Sequence, residues 1–335
     1  MAKTVKMSDI AEQLNVSTVT VSKALSDQKG VSDEMRNKIK KLAMELGYQK
    51  PIAKQEDRGR SLNVGVIVPE DYIEKYQTFY WEMYQEINMA AVKNNSFVML
   101  EVLSASDEKA GIPPKLLKEN KISGLIVLGG LAGDYLKMIK EHYATPTVYL
   151  DFYDPHIKED CVISNSFYGT YTLTNYLFEK GHTNIGFVGT LLATKSITDR
   201  YLGYVKSLME HGKSIREDWV MDDRDSERHN FQKFLFPEEM PTAFVCNCDT
   251  IASWIIRELG NKGYRVPEDV SVVGFDDFLY PGLCNVPLTT YAVNMPEMAE
   301  RAIELLVTKV TGGETSEGMH LVEGRFIERK SVRAI

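Results

Sequence analysis

Over the first fifty residues the apolar positions recur every three to four places, the spacing that lines one face of a helix. Ser8 precedes a set at Ile10, Ala11 and Leu14, Ser17 precedes one at Val21, Ala24 and Leu25, and Ser32 precedes one at Met35, Ile39, Leu42, Ala43 and Leu46. A serine hydroxyl ahead of such a set can accept from the unpaired amides of a first helical turn. Three capped helices are therefore expected between residues 7 and 47, with no room for a strand. Gly47 then stops the third helix, and Pro51 prevents easy continuation. Residues 49–61, QKPIAKQEDRGRS, are crowded with charge and hold almost no large apolar side chain, the composition of a linker.

From Leu62 the period changes to short apolar runs followed by helical stretches. VGVIVP leads into a helix over 78–94; FVMLEVL follows; GLIVLG leads into a helix over 134–141; TVYLDF closes the set. After a helix over 169–180 the rhythm resumes with NIGFVG, TAFVCN and SVVGFDD, separated by helices over 201–211 and 251–262. Runs that are apolar throughout suit strands covered on both faces, so each set is expected to form a doubly wound parallel sheet. Two such sheets in series make two lobes, with a cleft where strand C-termini from both can meet. The strand LTTYAV and the helix over 295–310 come too late to found a third domain and are expected to cross back to the first lobe. The expected organisation is multidomain: an all-α module over 1–48, a hinge over 49–61 and an α/β domain over 62–335. The first lobe is expected to take about 62–160 plus 292–320, and the second about 161–291 plus 321–335.

Composition agrees with two or three folding units: the chain has 335 residues, 44% of them hydrophobic. A net charge of −8 argues against nucleic acid as a partner until it is divided along the chain. Residues 1–60 hold 12 Lys and Arg against 8 Asp and Glu, a surplus of +4, which leaves −12 on the remainder. A small basic module joined to a large acidic one points to nucleic acid at the basic end. No stretch approaches the roughly 18 uncharged apolar residues of a membrane span. The opening run MAKTVKMSDIAEQ places acids where a secretory signal needs an apolar core, so a cytoplasmic protein without a membrane partner is expected. Cys161, Cys246, Cys248 and Cys284 have no CxxC spacing and no histidine cluster beside them, which suggests reduced thiols, with no metal and no other cofactor. GGLAG at 129–133 lacks dinucleotide-binding spacing, and no GxxxxGK(S/T), HExxH or GxSxG occurs, so no catalytic residues are expected.

The first two helices are joined by little more than Leu14, Asn15 and Val16, the short connection that lets a second helix project into a DNA groove. With Val21 and Leu25 turned inward, Val19, Ser22 and Lys23 face out and Thr18 sits at the tip. Lys23 can donate to guanine O6 and N7, and the methyl groups of Thr18 and Val19 can meet thymine methyls. Ser17, Thr20 and Ser22, with the amides at the helix start, can bind phosphates. Packing of three helices with a solvated polar face is the plainer alternative.

The run VKMSDIAEQLNVSTVTVSKALSDQKGVSDEMRNKIKKLAMELGY resembles the headpiece of the LacI/GalR family of bacterial regulators, matching D(I/V)A…VS…TVS(R/K)…L…VS…R…I…A…LGY from Asp9 to Tyr48. The likeness covers essentially the whole chain. It implies a helix-turn-helix headpiece, a hinge and a periplasmic-binding-protein-like effector domain, hence a ligand-responsive, sequence-specific DNA-binding repressor of carbohydrate-related genes. Its expected partners are a palindromic double-stranded DNA operator, a sugar or sugar derivative as effector, and a second copy in a homodimer. The hinge departs from the family pattern PNxxAR(x)L: Asp57 stands near the expected leucine, while Arg58 and Arg60 supply backbone contacts or remain solvated linker charges.

In the effector domain, TDRYLGY resembles the family's (D)RxxG(F/Y) element and puts Arg200 where an arginine holds ligand hydroxyls or a carboxylate. SVVGFDD resembles the GFD(D/N) element and puts Asp276 where a carboxylate accepts from adjacent hydroxyls, and Asp151 in VYLDF matches the acid that ends the fourth strand. Phe79 and Tyr80 fall at the family's aromatic pair, suited either to stacking on a sugar or base or to the core. In FVCNCD, Cys248 replaces the family's asparagine, so an amide contact would come from Asn247; Ser164 stands where the family has Asp. A transport-class sugar-binding protein shares the two-lobed fold and is the alternative; it would lack the headpiece.

Overall fold

A computed structural model of the chain describes residues 7–14, 16–25, 31–45, 61–73, 78–225, 232–279, 282, 284–313, 315 and 317–335, with the backbone alone at 7–9, 19, 22, 25, 33, 44 and 45. The chain divides into two compact units, Met1–Arg58 and Gly59–Ile335. The first is built from α1 (Met7–Gln13), α2 (Thr18–Leu25) and α3 (Asp33–Glu45). Ile10, Ala11, Val21, Ala24, Ile39 and Ala43 bury together, with Leu14, Val16, Met35 and Leu42 packed around them. That core is the set the 3.6-residue spacing selects. Ser17 caps α2 by accepting from the Thr20 amide at 3.1 Å, and Ser32 accepts from the Met35 amide at 3.4 Å. The side chain of Ser8, the helix stop at Gly47, the linker with Arg58 and Arg60, and the boundary at 48 lie outside the described residues.

The second unit begins with β1 (Asn63–Pro69), α4 (Phe79–Lys93), β2 (Phe97–Leu103), two short helices α5 (Ala105–Lys109) and α6 (Lys115–Lys118), β3 (Gly124–Leu128), α7 (Gly133–His142), β4 (Thr147–Leu150) and β5 (Asp160–Ser164). It continues with α8 (Ser166–Glu179), β6 (Ile185–Val188), α9 (Lys195–Glu210), β7 (Val220–Met221), β8 (Ala243–Cys246), α10 (Asp249–Asn261) and β9 (Ser271–Val273). β10 (Thr290–Ala292), α11 (Met295–Val310), β11 (Met319–Val322) and β12 (Arg325–Ile327) complete it. The first sheet has the order β11-β5-β4-β3-β1-β2 and the second β7-β6-β8-β9, both parallel throughout. Alternate residues of each sheet serve opposite helix layers. Val64, Val66 and Val68 pack toward α4 and α11, whereas Ile67, Leu125 and Val127 pack toward α7. In the second sheet Phe187 and Val245 face α8 and α9, and Val188 and Phe244 face α10.

Three elements depart from the sequence expectation. β5 pairs with β4 and with β11, so the first sheet extends to Ser164 and takes back 319–322; the lobe crossings fall beyond residues 160 and 320. LTTYAV does not join the first sheet: β10 pairs antiparallel with β12 and runs beside the end of β9, while α11 does return to the first lobe. α9 starts at Lys195, six residues ahead of the apolar period, because Thr194 accepts from the Ile197 amide at 3.1 Å and fixes the helix start there.

Candidate functional site

On α2, the faces separate as the pattern requires: Val21 and Ala24 are fully buried, whereas Thr18 and Lys23 are exposed and Thr20 is half-buried. The side chains of Val19 and Ser22 lie outside the described residues. Ser17 is exposed; its hydroxyl lies 2.9 Å from that of Thr20 besides accepting from the Thr20 amide. The start of α2 is thereby ordered without using its outward face. On α3, Lys38, Lys40 and Lys41 are also exposed, which adds cations to a helix otherwise anchored by Ile39 and Ala43.

In the second unit the loops after β1, β4, β7, β8 and β9 carry a cluster of polar and aromatic groups, as strand C-termini in open α/β sheets commonly do. From the first lobe come Tyr72, Phe79, Tyr80 and Asp151. Tyr80 donates its hydroxyl to Asp151 Oδ2 at 2.9 Å, and its ring lies 4.4 Å from that of Tyr72. From the second lobe comes Arg200, whose three guanidinium nitrogens each donate once, which uses three of its five N–H groups. It donates through Nη1 to the Asn247 carbonyl at 2.5 Å, through Nη2 to Asp276 Oδ1 at 3.1 Å and through Nε to Ser166 at 3.3 Å, and it lies 3.9 Å over the Phe275 ring. The fork is fixed in advance, which lowers the ordering cost of holding a ligand.

The two lobes meet across this cluster. Phe79 sits edge-on to Phe278 with centroids 6.3 Å apart, and the Tyr153 hydroxyl reaches Asp199 at 3.4 Å. Burial pushes the Asp276 carboxyl up to about 7, with Arg200 pulling against it and Asp151 adding to the rise. Burial likewise raises Asp151 to about 6, opposed by Arg200 and by the Tyr80 hydrogen bond. Both aspartates hold a positive φ, 66° at Asp151 and 103° at Asp276, a backbone region that non-glycine residues avoid and that recurs at functional positions. Asp276 is pinned there by its own amide donating to the Tyr291 carbonyl and its carbonyl accepting from the Val293 amide. Since residues 290–292 form β10 and lead into α11, the carboxylate is tied directly to a strand that crosses between lobes.

Arg200, Asp276, Asp151, Phe79 and Tyr80 are thus brought together. Asn247 is not placed as its motif implied: it is 2% exposed, and its amide nitrogen donates to Val188 O and to Asp223 Oδ2, both at 3.0 Å. This amide is committed to the fold, and Asn247 serves the site through its backbone carbonyl, which accepts from Arg200. Ser164 is buried, and its hydroxyl has no hydrogen-bond partner among the described residues. The motifs did not mark Tyr72, Tyr153, Ser166, Asp223 or Phe278. Only Phe278, two places beyond Asp276, and Asp199, beside Arg200, carried a positional signal.

Residues 6–50 match the model of bacterial regulatory proteins of the lacI family, and residues 174–332 match a periplasmic binding protein-like domain. The chain is 27% identical over 333 residues to the HTH-type transcriptional repressor CytR of Escherichia coli K12, spanning 98% of this chain and 96% of that protein. It is 27% identical over 333 residues to the HTH-type transcriptional repressor PurR of Pasteurella multocida, spanning 97% and 98%. Among solved structures it resembles the lac repressor dimer bound to operator and the anti-inducer ONPF, with TM-score 0.67, 23% identity and coverage of 99% of this chain and 100% of that one. It also resembles a complex of the transcriptional regulator CelR with cellobiose, with TM-score 0.69, 21% identity and coverage of 98% and 99%.

Proposed function

We propose that the chain is a lacI-family regulatory protein, a ligand-responsive, DNA-binding transcriptional repressor, and from that reading we infer how it senses and what it senses. The effector is a neutral, polyhydroxylated molecule, a sugar or sugar derivative, held by Arg200, Asp276 and Asp151 between the lobes. Fixed donors and acceptors at that point replace the water that adjacent hydroxyls lose on burial. Asp151, Asp199, Asp223 and Asp276 surround Arg200 and Arg224, so a further anion would meet net repulsion. Tyr72, Phe79, Tyr80 and Phe278 offer faces to the apolar side of a ring. The observation that carries this reading is the Arg200–Asp276 pair facing Asp151 from the other lobe. CelR was solved with cellobiose, which agrees with the carbohydrate class.

The DNA contacts fall to Thr18, Val19, Lys23 and the Ser17–Thr20–Ser22 hydroxyls, with Arg58 and Arg60 on the backbone. The repressor works in the cytoplasm as a homodimer on a palindromic operator, since a two-fold protein reads two inverted half-sites. A self-complementary face is available on the first lobe: Met89 and Val92 of α4 and Phe97 and Val102 of the edge strand β2 are 50%, 65%, 68% and 47% exposed. Among the described residues no helix is long and apolar enough to cross a membrane. The lacI family consists of regulators, and we assign the chain no catalytic activity.

Thermal-shift screening of neutral sugars, sugar phosphates and uronic acids tests the effector assignment. A neutral sugar at about 100 times its Kd should stabilise the protein by about 2.7 kcal/mol. Arg200→Ala should abolish that shift while leaving operator binding intact, because coupling requires contacts that differ between two lobe arrangements. A shift of equal size in Arg200→Ala overturns the assignment.

A further inference from the structure

Asp249 opens α10, after β8, behind the effector cleft. An acid in the first turn of a helix ordinarily serves that helix, by accepting from its free amides or by complementing its positive end. Both oxygens of Asp249 bond outside α10 instead. Oδ1 accepts from the Thr290 hydroxyl at 2.8 Å and Oδ2 from the Phe278 amide at 3.1 Å, while the backbone amide of Asp249 donates to the Phe275 carbonyl at 2.8 Å. The residue is 1% exposed and has no ion-pair partner among the described residues. The charges around it are of the wrong sign to hold a buried carboxylate: Asp276 and Asp277 face it, and Arg200 and Arg329 are engaged by those two at 3.1 and 2.7 Å. The Cys246 and Cys284 thiols are its other titratable neighbours. Burial, with Asp276 adding to it, pushes the Asp249 carboxyl well above the ordinary range. Burying an acid without a cation is costly, so its place in the fold calls for a use.

What its bonds enclose is the segment that carries the Asp276 carboxyl. Asp249 grips the backbone at 275 and again at 278, and the two residues between, Asp276 and Asp277, hold φ of 103° and 54°. Non-glycine residues avoid that region and stay in it only where their surroundings over-determine it. The reversal brings Asp276 Oδ1 to Arg200. The space is shaped to match: a Cβ at Gly274 would run into Asp249 Oδ1 and Cγ, so the acid fills the room that glycine leaves. The remaining bond reaches the segment between the lobes. Thr290 is fully buried in β10, where the next residue, Tyr291, accepts from the Asp276 amide, and the chain runs on into α11 against the first sheet.

We propose that Asp249 is the positioning residue of the effector cleft: without touching the effector, it clamps the 275–278 reversal that presents the Asp276 carboxyl and fastens that reversal to β10. The inference rests on Asp276 as an effector acceptor. Its physical content is that one buried acid makes a strained loop and a crossing strand into a single unit, so a shift of Asp276 on ligand contact is carried to β10 through packed, hydrogen-bonded groups.

The full-length protein, labelled with 13C at its aspartate carboxyls, tests this with no effector present. The Asp276 signal is assigned by its loss in Asp276→Asn, and in wild type it should titrate with a midpoint of about 7. Asp249→Ala should lower that midpoint by about one unit or more, because burial is the larger cause of its height and a relaxed loop meets water. The same variant should speed exchange of the Phe278 amide by about tenfold, while β8 amides keep their protection and report an intact fold. Asp249→Asn retains an acceptor for the Phe278 amide and a polar partner for Thr290, and should keep the midpoint within about half a unit of wild type. Thr290→Val keeps the size of the side chain, removes the bond to β10 alone, and should speed Phe278 exchange by about threefold; with Asp249→Asn it decides the matter if Asp249→Ala does not fold. The proposal is overturned if Asp249→Ala leaves midpoint and exchange at wild-type values, if Asp249→Asn lowers the midpoint as far as Asp249→Ala, which would be an effect of charge alone, or if Thr290→Val leaves Phe278 exchange unchanged. A cleft that takes no sugar would contradict the effector assignment and leave these results standing.

Discussion

Asp276 and Asp151 face the same cleft from different lobes, both under the pull of the Arg200 guanidinium, and this sets a pH dependence. Between the unfolded aspartate value of about 3.9 and the folded values of about 6 and about 7, the native state holds more protons than the unfolded chain. Stability contributed by these groups therefore falls as pH rises from 4 toward 7, and the penalty is complete above 7. The melting temperature should decline between pH 5 and pH 8 more steeply in wild type than in the Asp151→Asn/Asp276→Asn double variant; parallel profiles would contradict the assignment. Lys23 makes a second residue-scale prediction. Its exposed position on α2 faces away from the Val21 and Ala24 core, so Lys23→Ala should cost about 1–3 kcal/mol and relax preference at one base pair, read from binding to single-substituted operators. Unchanged base preference would move the reading face elsewhere. At this scale the sequence made Arg200, Asp151 and Asp276 visible because short motifs surround them. At Asn247 the motif names the residue but does not show that its side-chain amide is spent on Val188 and Asp223 while its backbone carbonyl holds Arg200. Tyr72 was invisible because a turn, rather than a period, puts it against Tyr80.

At the scale of elements, most of the fold was legible where burial is two-sided. β3 falls within the run GLIVLG and β8 within TAFVCN, each buried along its whole length, and α11 spans Met295–Val310 as the pattern set it. β5, β7, β11 and β12 escaped notice for a common physical reason. They are two to five residues long, and β11 alternates exposed Met319 and Leu321 with less exposed neighbours at the sheet edge, so neither length nor apolarity separates them from loops. The lobe crossings were displaced with them, since a parallel strand is recognised by the partner it lies beside. The headpiece was read correctly from its period because each helix has one buried stripe. Ile39 sits at the centre of that small core with no exposed surface. Ile39→Ala should remove about 2–5 kcal/mol from the headpiece alone. In calorimetry of the full chain, a headpiece transition should drop while the transition of the 59–335 unit stays in place, and a joint shift of both would contradict independent cores.

At the scale of the molecule, charge is segregated by function: the first 60 residues carry a surplus of +4 and the remaining chain −12. That segregation favours the headpiece as the part that meets the phosphates, and binding through phosphate contacts is salt-dependent. In the proposed response, ligand contact reaches the lobe geometry through the segments that pass between the two sheets, β10 and β12 among them. Asp276 is hydrogen-bonded on both sides to the segment around β10, and Gly324, before β12, lies so close to Ala292 O and the Tyr291 ring that a Cβ would meet them at 2.3 Å. Such close approach ties the crossing segments into one hinge. In the proposed homodimer the exposed α4 and β2 face is the surface assigned to joining two copies, which doubles the reading surface. The most direct test of the account is selection of duplex DNA from a random pool by the full-length protein at near-physiological salt. It should return an inverted repeat with two equal half-sites, and a featureless or asymmetric product would contradict a dimeric, sequence-reading repressor.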